Sequence, residues 1–225
     1  DIHFEQNATS GLIILDRPDA LNALTIEMVT ALREKLIHWA TLGSVTHVIL
    51  CSSLPRAFCA GGDIKYARKL ALSDDPEGAA PYFRAEYLAD IALIEFEKPV
   101  IALCDGIVMG GGAGLAQHCR HIVMTETTRF AMPETAIGLF PDAGASVFLG
   151  RCPKPVARFL GMTGHNVGAA DCLPLRLATA HVPSDSIADL KKKLLHCNVD
   201  EIDTVIQQFQ TRAGRSPLAT QRQLI

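Results

Sequence analysis

The sequence predicts an α/β fold with a helical C-terminal part. Three observations carry this. The continuous apolar runs GLIILD (11–16), THVILC (46–51) and PVIALC (99–104) read as strands covered on both faces. Segments with apolar residues at helical spacing lie between them. Past Pro183 the strand-like runs stop and helical periodicity alone remains.

Along the chain, GLIILD is a buried strand halted by Arg17-Pro18. A helix then starts near Thr25, a suitable N-cap, with Val29, Leu32, Leu36 and Trp39 as its apolar stripe. THVILC ends in a Ser-Ser-Leu-Pro turn. A helical tract follows around 84–96, and after PVIALC come two short strand candidates, RHIVMT (120–125) and RFAM (129–132). Beyond Pro183, Ile187, Leu190 and Leu194 share one helix face, and Ile202, Val205, Ile206 and Phe209 share another. The chain thus divides into a core over 1–184 and the start of a helical region over 185–225. Asp1 opens it without a methionine and Ile225 ends it within helical periodicity, so both ends are expected to be cut.

With 225 residues, 48% of them hydrophobic and 20% charged, the chain can bury a substantial core. A net charge of −3 leaves no nucleic-acid footprint, and Lys191-Lys192-Lys193 reads as the wet face of a helix. The longest neutral stretch, 106–117, is short and glycine-rich, whereas a membrane span needs about 20 apolar residues. Seven cysteines, an odd number without CxxC spacing, read as reduced, buried thiols of an intracellular protein.

Two glycine-rich loops follow strands: AFCAGGDI (57–64) and GIVMGGGAGL (106–115). Glycines there let backbone approach something closely and can open a helix. A dinucleotide site fails on spacing, because the last glycine of GxGxxG would fall on Leu115 or Gln117. Two readings stay open. One is an oxyanion hole with one N–H donor from each loop; the other is tight helix–strand packing. His118, Cys119 and His121 lack zinc-site spacing. Ser146 lacks the GxSxG elbow, and His165 and His181 read as surface or capping residues.

MPETAIGLFPD (132–142) sets Glu134 and Asp142 in an otherwise apolar and neutral segment, each after a proline. A carboxylate near apolar surroundings costs free energy unless it is paired, hydrogen-bonded or used. The two either cap turns after Pro133 and Pro141 or belong to a reactive site.

Together AFCAGGDI, MGGGAGL, FAMPETAIGLFPDAGAS and FLGMTG resemble the crotonase, or enoyl-CoA hydratase/isomerase, superfamily, and within it the 3-hydroxyisobutyryl-CoA hydrolases most. The resemblance runs from Gly11 to about Pro183. It implies a spiral of ββα units with two sheets and surrounding helices, and an acyl-CoA substrate. The backbone N–H groups of Gly62 and Gly111 would be the oxyanion donors, with Gly61 and Gly110 beside the substrate. Hydratases of the superfamily carry a glutamate two residues after the triple glycine, where this chain has Gly114. It keeps a glutamate at Glu134 and adds Asp142 where hydratases have glycine, the hydrolase pattern.

The resemblance therefore implies hydrolysis of a short 3-hydroxyacyl-CoA thioester, with Glu134 as nucleophile or base and Asp142 binding the substrate's 3-hydroxyl or positioning the hydrolytic water. An enoyl-CoA hydratase or isomerase, and a non-catalytic acyl-CoA-binding protein, are the alternatives. FRAEYLAD (83–90) resembles the segment whose glutamate, here Glu86, lies near the substrate. No metal and no cofactor are expected, coenzyme A being part of the substrate. No nucleic-acid or membrane partner is expected, and a homo-oligomer is left open. The compartment would be the cytoplasm in a bacterium and the mitochondrial matrix in a eukaryote.

Overall fold

The computed structural model describes residues 1–75 and 77–221. In chain order its elements are β1 (Ile2–Gln6), β2 (Ser10–Leu15), α1 (Ile26–Thr41), β3 (His47–Ser52), β4 (Ala57–Cys59), α2 (Ile64–Ala71) and α3 (Ala80–Glu95). There follow β5 (Val100–Cys104), β6 (Ile107–Met109), α4 (Gly111–Gln117), β7 (His121–Met124), β8 (Arg129–Ala131), α5 (Ala145–Leu149), α6 (Lys154–Thr163) and α7 (Ala169–Cys172). β9 (Ala180–His181), α8 (Ile187–Leu194), α9 (Ile202–Phe209) and α10 (Pro217–Gln221) complete the described chain. Residues 222–225, the end of the helical region expected from the sequence, lie outside the described residues.

Six strands form a sheet in the order β1-β2-β3-β5-β7-β9, and β4-β6-β8 form a second, parallel sheet. In the large sheet only β1 and β2 run antiparallel. Its central register sets Ile49 against Ile101 and Leu50 against Ala102, so aliphatic side chains stack across both faces. The winding is regular. β3, β5 and β7 of the large sheet each lead into a strand of the small sheet (β4, β6 and β8), then into helix or turn. This is the ββα spiral expected from the sequence, and its five strand candidates correspond to β2, β3, β5, β7 and β8.

Strands missed by periodicity are short or exposed. β1 alternates partly buried and exposed residues at a sheet edge, β4 and β6 have three residues each, and β9 has two. Thr25 caps α1 as expected, its Oγ1 accepting from Met28 N at 3.2 Å. The stripe Val29, Leu32, Leu36 and Trp39 is buried.

One apolar cluster joins these α1 residues to Phe58, Phe130 and Phe148 between the large sheet, the small sheet and the helices. The other lies on the opposite face of the large sheet. There Leu12, Ile49, Ile101 and Val123 meet Leu190, Leu194, Ile202 and Ile206 of α8 and α9. Each such side chain contributes roughly 1.5–3 kcal/mol on leaving water. All seven cysteines are buried and free. His181 departs from expectation. It is buried in β9 with Nδ1 3.0 Å from Thr211 Oγ1, because the later chain covers this edge strand, Thr211 N donating to His181 O at 2.9 Å.

Candidate active site

The site begins with two neighbouring strand ends. β4 and β6 are parallel partners, so the loops leaving their C-terminal ends emerge side by side. Gly61 follows β4 with φ +113°, and Gly110 follows β6 with φ +51°, conformations that side-chain-bearing residues rarely adopt. The backbones then nearly touch. A Cβ on Gly61 would lie 3.6 Å from Gly111 N, and one on Gly111 would lie 3.5 Å from Gly62 N. Among the described residues, neither the Gly62 nor the Gly111 N–H finds an acceptor. The two amides therefore form a small donor cradle.

The loops are braced from outside. Leu24 N donates to Gly61 O at 2.8 Å, and Asp63 N donates to Leu24 O at 2.9 Å. The Tyr82 hydroxyl accepts from Asp63 N at 2.6 Å and donates to Leu24 O at 2.9 Å. Arg17 Nη2 pairs with Asp63 Oδ2 at 2.8 Å. On the other side, Gly110 N donates to Ala131 O at 3.1 Å.

Carboxyl groups reach this cradle from two directions. Glu134 opens a short 3₁₀ turn, Glu134–Ile137, just past β8. A Cβ on Gly110 would sit 2.9 Å from Glu134 Oε1, so this acid lies against the second loop. Glu86 comes from α3, and a Cβ on Gly111 would overlap its Oε1. Asp142 lies on the loop before α5 and takes a hydrogen bond from Tyr87 Oη at 2.6 Å. Its side-chain tether is thus on another element, not its own turn. All seven expected residues, Gly61, Gly62, Gly110, Gly111, Glu86, Glu134 and Asp142, line one cleft. Tyr82, Phe83, Ile137 and Leu139 give it apolar walls.

The electrostatics are those of acids short of counter-charge. Among the described residues no lysine or arginine forms an ion pair with Glu86, Asp90, Glu134 or Asp142. Burial pushes the Glu134 carboxyl up to about 7, and the Asp142 charge adds to the rise. Burial likewise pushes Glu86 up to about 7, helped by Asp142 and Glu134. One helical turn on, Asp90 is 5% exposed with neither oxygen hydrogen-bonded among the described residues, and burial followed by the Glu86 charge raises it to about 8. An acid in that state is neutral near pH 7 and ready to change charge there.

The position of the missing second glutamate is sterically closed. A Cβ on Gly114 would fall 2.6 Å from the Ala143 Cβ, so no longer side chain fits without moving the loop. His118 and His121 face different neighbours, the Ala143 carbonyl and Asp203, and Ser146 is exposed.

Three site neighbours escaped the sequence reading: Tyr82, Tyr87 and Asp90. A signal existed for two of them. Tyr82, Glu86, Ala89 and Leu93 repeat at helical spacing and form the buried stripe of α3, with Asp90 beside it. Tyr87 carries no such periodic mark.

The enoyl-CoA hydratase/isomerase family model matches residues 10–225. The chain belongs to the enoyl-CoA hydratase/isomerase family. It is 36% identical over 225 residues to the 3-hydroxyisobutyryl-CoA hydrolase, mitochondrial, of Danio rerio, covering 100% of this chain and 59% of that protein. It is 39% identical over 197 residues to 3-hydroxyisobutyryl-CoA hydrolase 1 of Arabidopsis thaliana, covering 88% of this chain and 52% of that protein. Among solved structures, a carnitinyl-CoA dehydratase from Mycobacterium thermoresistibile superposes with a TM-score of 0.93 at 34% identity, over 99% of this chain and 64% of that one. The chain thus spans little more than half the length of these curated relatives. As a member of the enoyl-CoA hydratase/isomerase family, it has its two glycine loops and its acid-bearing segment inside the matched region.

Proposed function

We propose that this enoyl-CoA hydratase/isomerase family member hydrolyses the thioester of a short 3-hydroxyacyl-CoA, such as 3-hydroxyisobutyryl-CoA, to the free acid and coenzyme A. The observation that carries the reading is the convergence of Glu134 on the Gly62/Gly111 amide cradle, with position 114 closed to a second glutamate. Hydration of a double bond between two glutamates needs both; thioester hydrolysis needs one plus an oxyanion hole. The hydrolases named above, at 36% and 39% identity, support the same choice.

In this mechanism the thioester carbonyl oxygen accepts from the Gly62 and Gly111 N–H groups, which stabilise the charge that grows on it. Glu134 supplies the attack, as nucleophile or through a water it deprotonates. In the nucleophilic version a C–O bond forms, the C–S bond breaks, and the thiolate leaves with its electron pair and is protonated. Water then cleaves the anhydride and regenerates the carboxylate. In the general-base version the water oxygen adds directly and the same C–S bond breaks. Glu86, raised to about 7 like Glu134, lies against the other loop of the cradle. Asp142 binds the substrate's 3-hydroxyl. The reaction calls for no metal or cofactor beyond the coenzyme A carried by the substrate.

The test follows free thiol and enoyl absorbance in parallel when the protein meets 3-hydroxyisobutyryl-CoA. Thiol release without enoyl formation supports the hydrolase. Enoyl formation without thiol release selects the hydratase/isomerase alternative, and tight binding with no product selects a binding protein.

A further inference from the structure

Asp142 lies in a loop whose next two residues have positive φ, Ala143 at +44° and Gly144 at +81°. Its backbone carbonyl accepts from Ala145 N at 2.7 Å, but that bond leaves the side chain unaimed. Among the described residues the carboxylate has one hydrogen-bond donor, the Tyr87 hydroxyl, at 2.6 Å to Oδ2. Oδ1 has no partner among them, and Asp142 lines the cleft.

Tyr87 is itself well placed to act as a fixed tether. It follows Glu86, whose burial against the cradle sets the rotation of α3. The Phe83 ring, one helical turn back, lies 6.2 Å away at 31° and limits how the phenol can swing. Burial and the Asp142 carboxylate both push the phenol above its ordinary range, so it stays a donor across working pH.

We propose that Tyr87 is a positioning residue that sets the preference for a 3-hydroxylated acyl group, by holding one oxygen of Asp142 and leaving the other, without a partner among the described residues, at the cleft wall. The inference rests on the thioester-hydrolysis reading above. The physical reason is an asymmetry of recognition. A polar group built to meet a substrate hydroxyl rejects the analogue lacking it far more strongly than an apolar pocket rejects one methyl. That rejection requires the polar group to be held in place, since a carboxylate free to turn into water loses little when the hydroxyl is absent.

The experiment measures kcat/KM for thiol release from 3-hydroxyisobutyryl-CoA and from isobutyryl-CoA, in the parent protein, Tyr87→Phe, Asp142→Ala and the double variant. The expected result is a fall of about tenfold or more in the hydroxylated-to-unhydroxylated ratio for Tyr87→Phe. No further fall is expected when Tyr87→Phe is added to Asp142→Ala, because coupled residues are not additive. If the parent hydrolyses both substrates and Tyr87→Phe keeps its ratio, or if the double variant falls by the product of the two single effects, this inference is overturned alone. A parent that releases thiol from neither overturns the hydrolysis reading and this inference with it.

Discussion

In the proposed mechanism, Glu134 is the residue whose charge state the chemistry depends on. A carboxyl attacks, or takes a proton from water, only when ionised. Burial raises Glu134 to about 7, so activity should climb as pH rises through about 7. Measuring kcat/KM against pH checks this; a profile already flat from about pH 5 upward would place the working group in an ordinary environment. Glu134→Gln keeps the shape of the side chain and removes the attacking oxygen's charge, and should lower kcat by roughly 10²-fold or more at pH 8. A single turnover in heavy-oxygen water then separates the two roles. Label appearing in Glu134 marks an anhydride, and label confined to the product acid marks a general base. Glu134 and Asp142 stood out in the sequence because charge in an apolar stretch asks for a reason, but turn capping stayed equally open until the family resemblance was added. Tyr87 was not, because its role depends on a loop 55 positions away that only the folded chain brings to it.

At the scale of elements, the cradle exists because two three-residue strands are parallel neighbours and both lead into glycine loops. The sequence displayed the glycine loops plainly but not the strands, which are too short to show a period. Packing and oxyanion readings were therefore equally open from Gly61, Gly62, Gly110 and Gly111 alone. The structure adds the juxtaposition of the two amides. Gly111→Ala is the sharp test at this level, since the new Cβ would overlap Glu86 Oε1 and displace either that acid or the amide. We expect kcat to fall by about 10²-fold, the usual effect of losing one oxyanion donor, with little change in far-ultraviolet circular dichroism. Activity at the parental level would show that the Gly111 amide is not a donor.

Over the whole molecule, the buried acids tax stability in a way that depends on pH. Asp90 is raised from its ordinary 3.8 to about 8, so the folded chain holds its proton more tightly than the unfolded chain does. Its contribution is fully present below about pH 4 and is lost as pH rises through about 8. Each pH unit of that window is worth up to about 1.4 kcal/mol. Asp90→Asn should therefore flatten the decline of unfolding free energy between about pH 5 and about pH 8, read by urea titration; an unchanged slope would mean Asp90 is not protonated in the fold. On the far side of the large sheet, Leu194 is fully buried against strands that carry no site residue. Leu194→Ala should cost about 2–5 kcal/mol of stability and leave kcat near the parental value. The alternation of apolar strands and helices was readable because burial on both faces leaves continuous aliphatic runs. The antiparallel edge strand β1 was not, since three of its five residues are exposed.

The most direct measurement is a crystal structure of Glu134→Gln with 3-hydroxyisobutyryl-CoA bound. The thioester oxygen is expected within about 3 Å of both the Gly62 and Gly111 nitrogens, with the residue-134 side chain against the carbonyl carbon. A carbonyl pointing away from those two amides would contradict it.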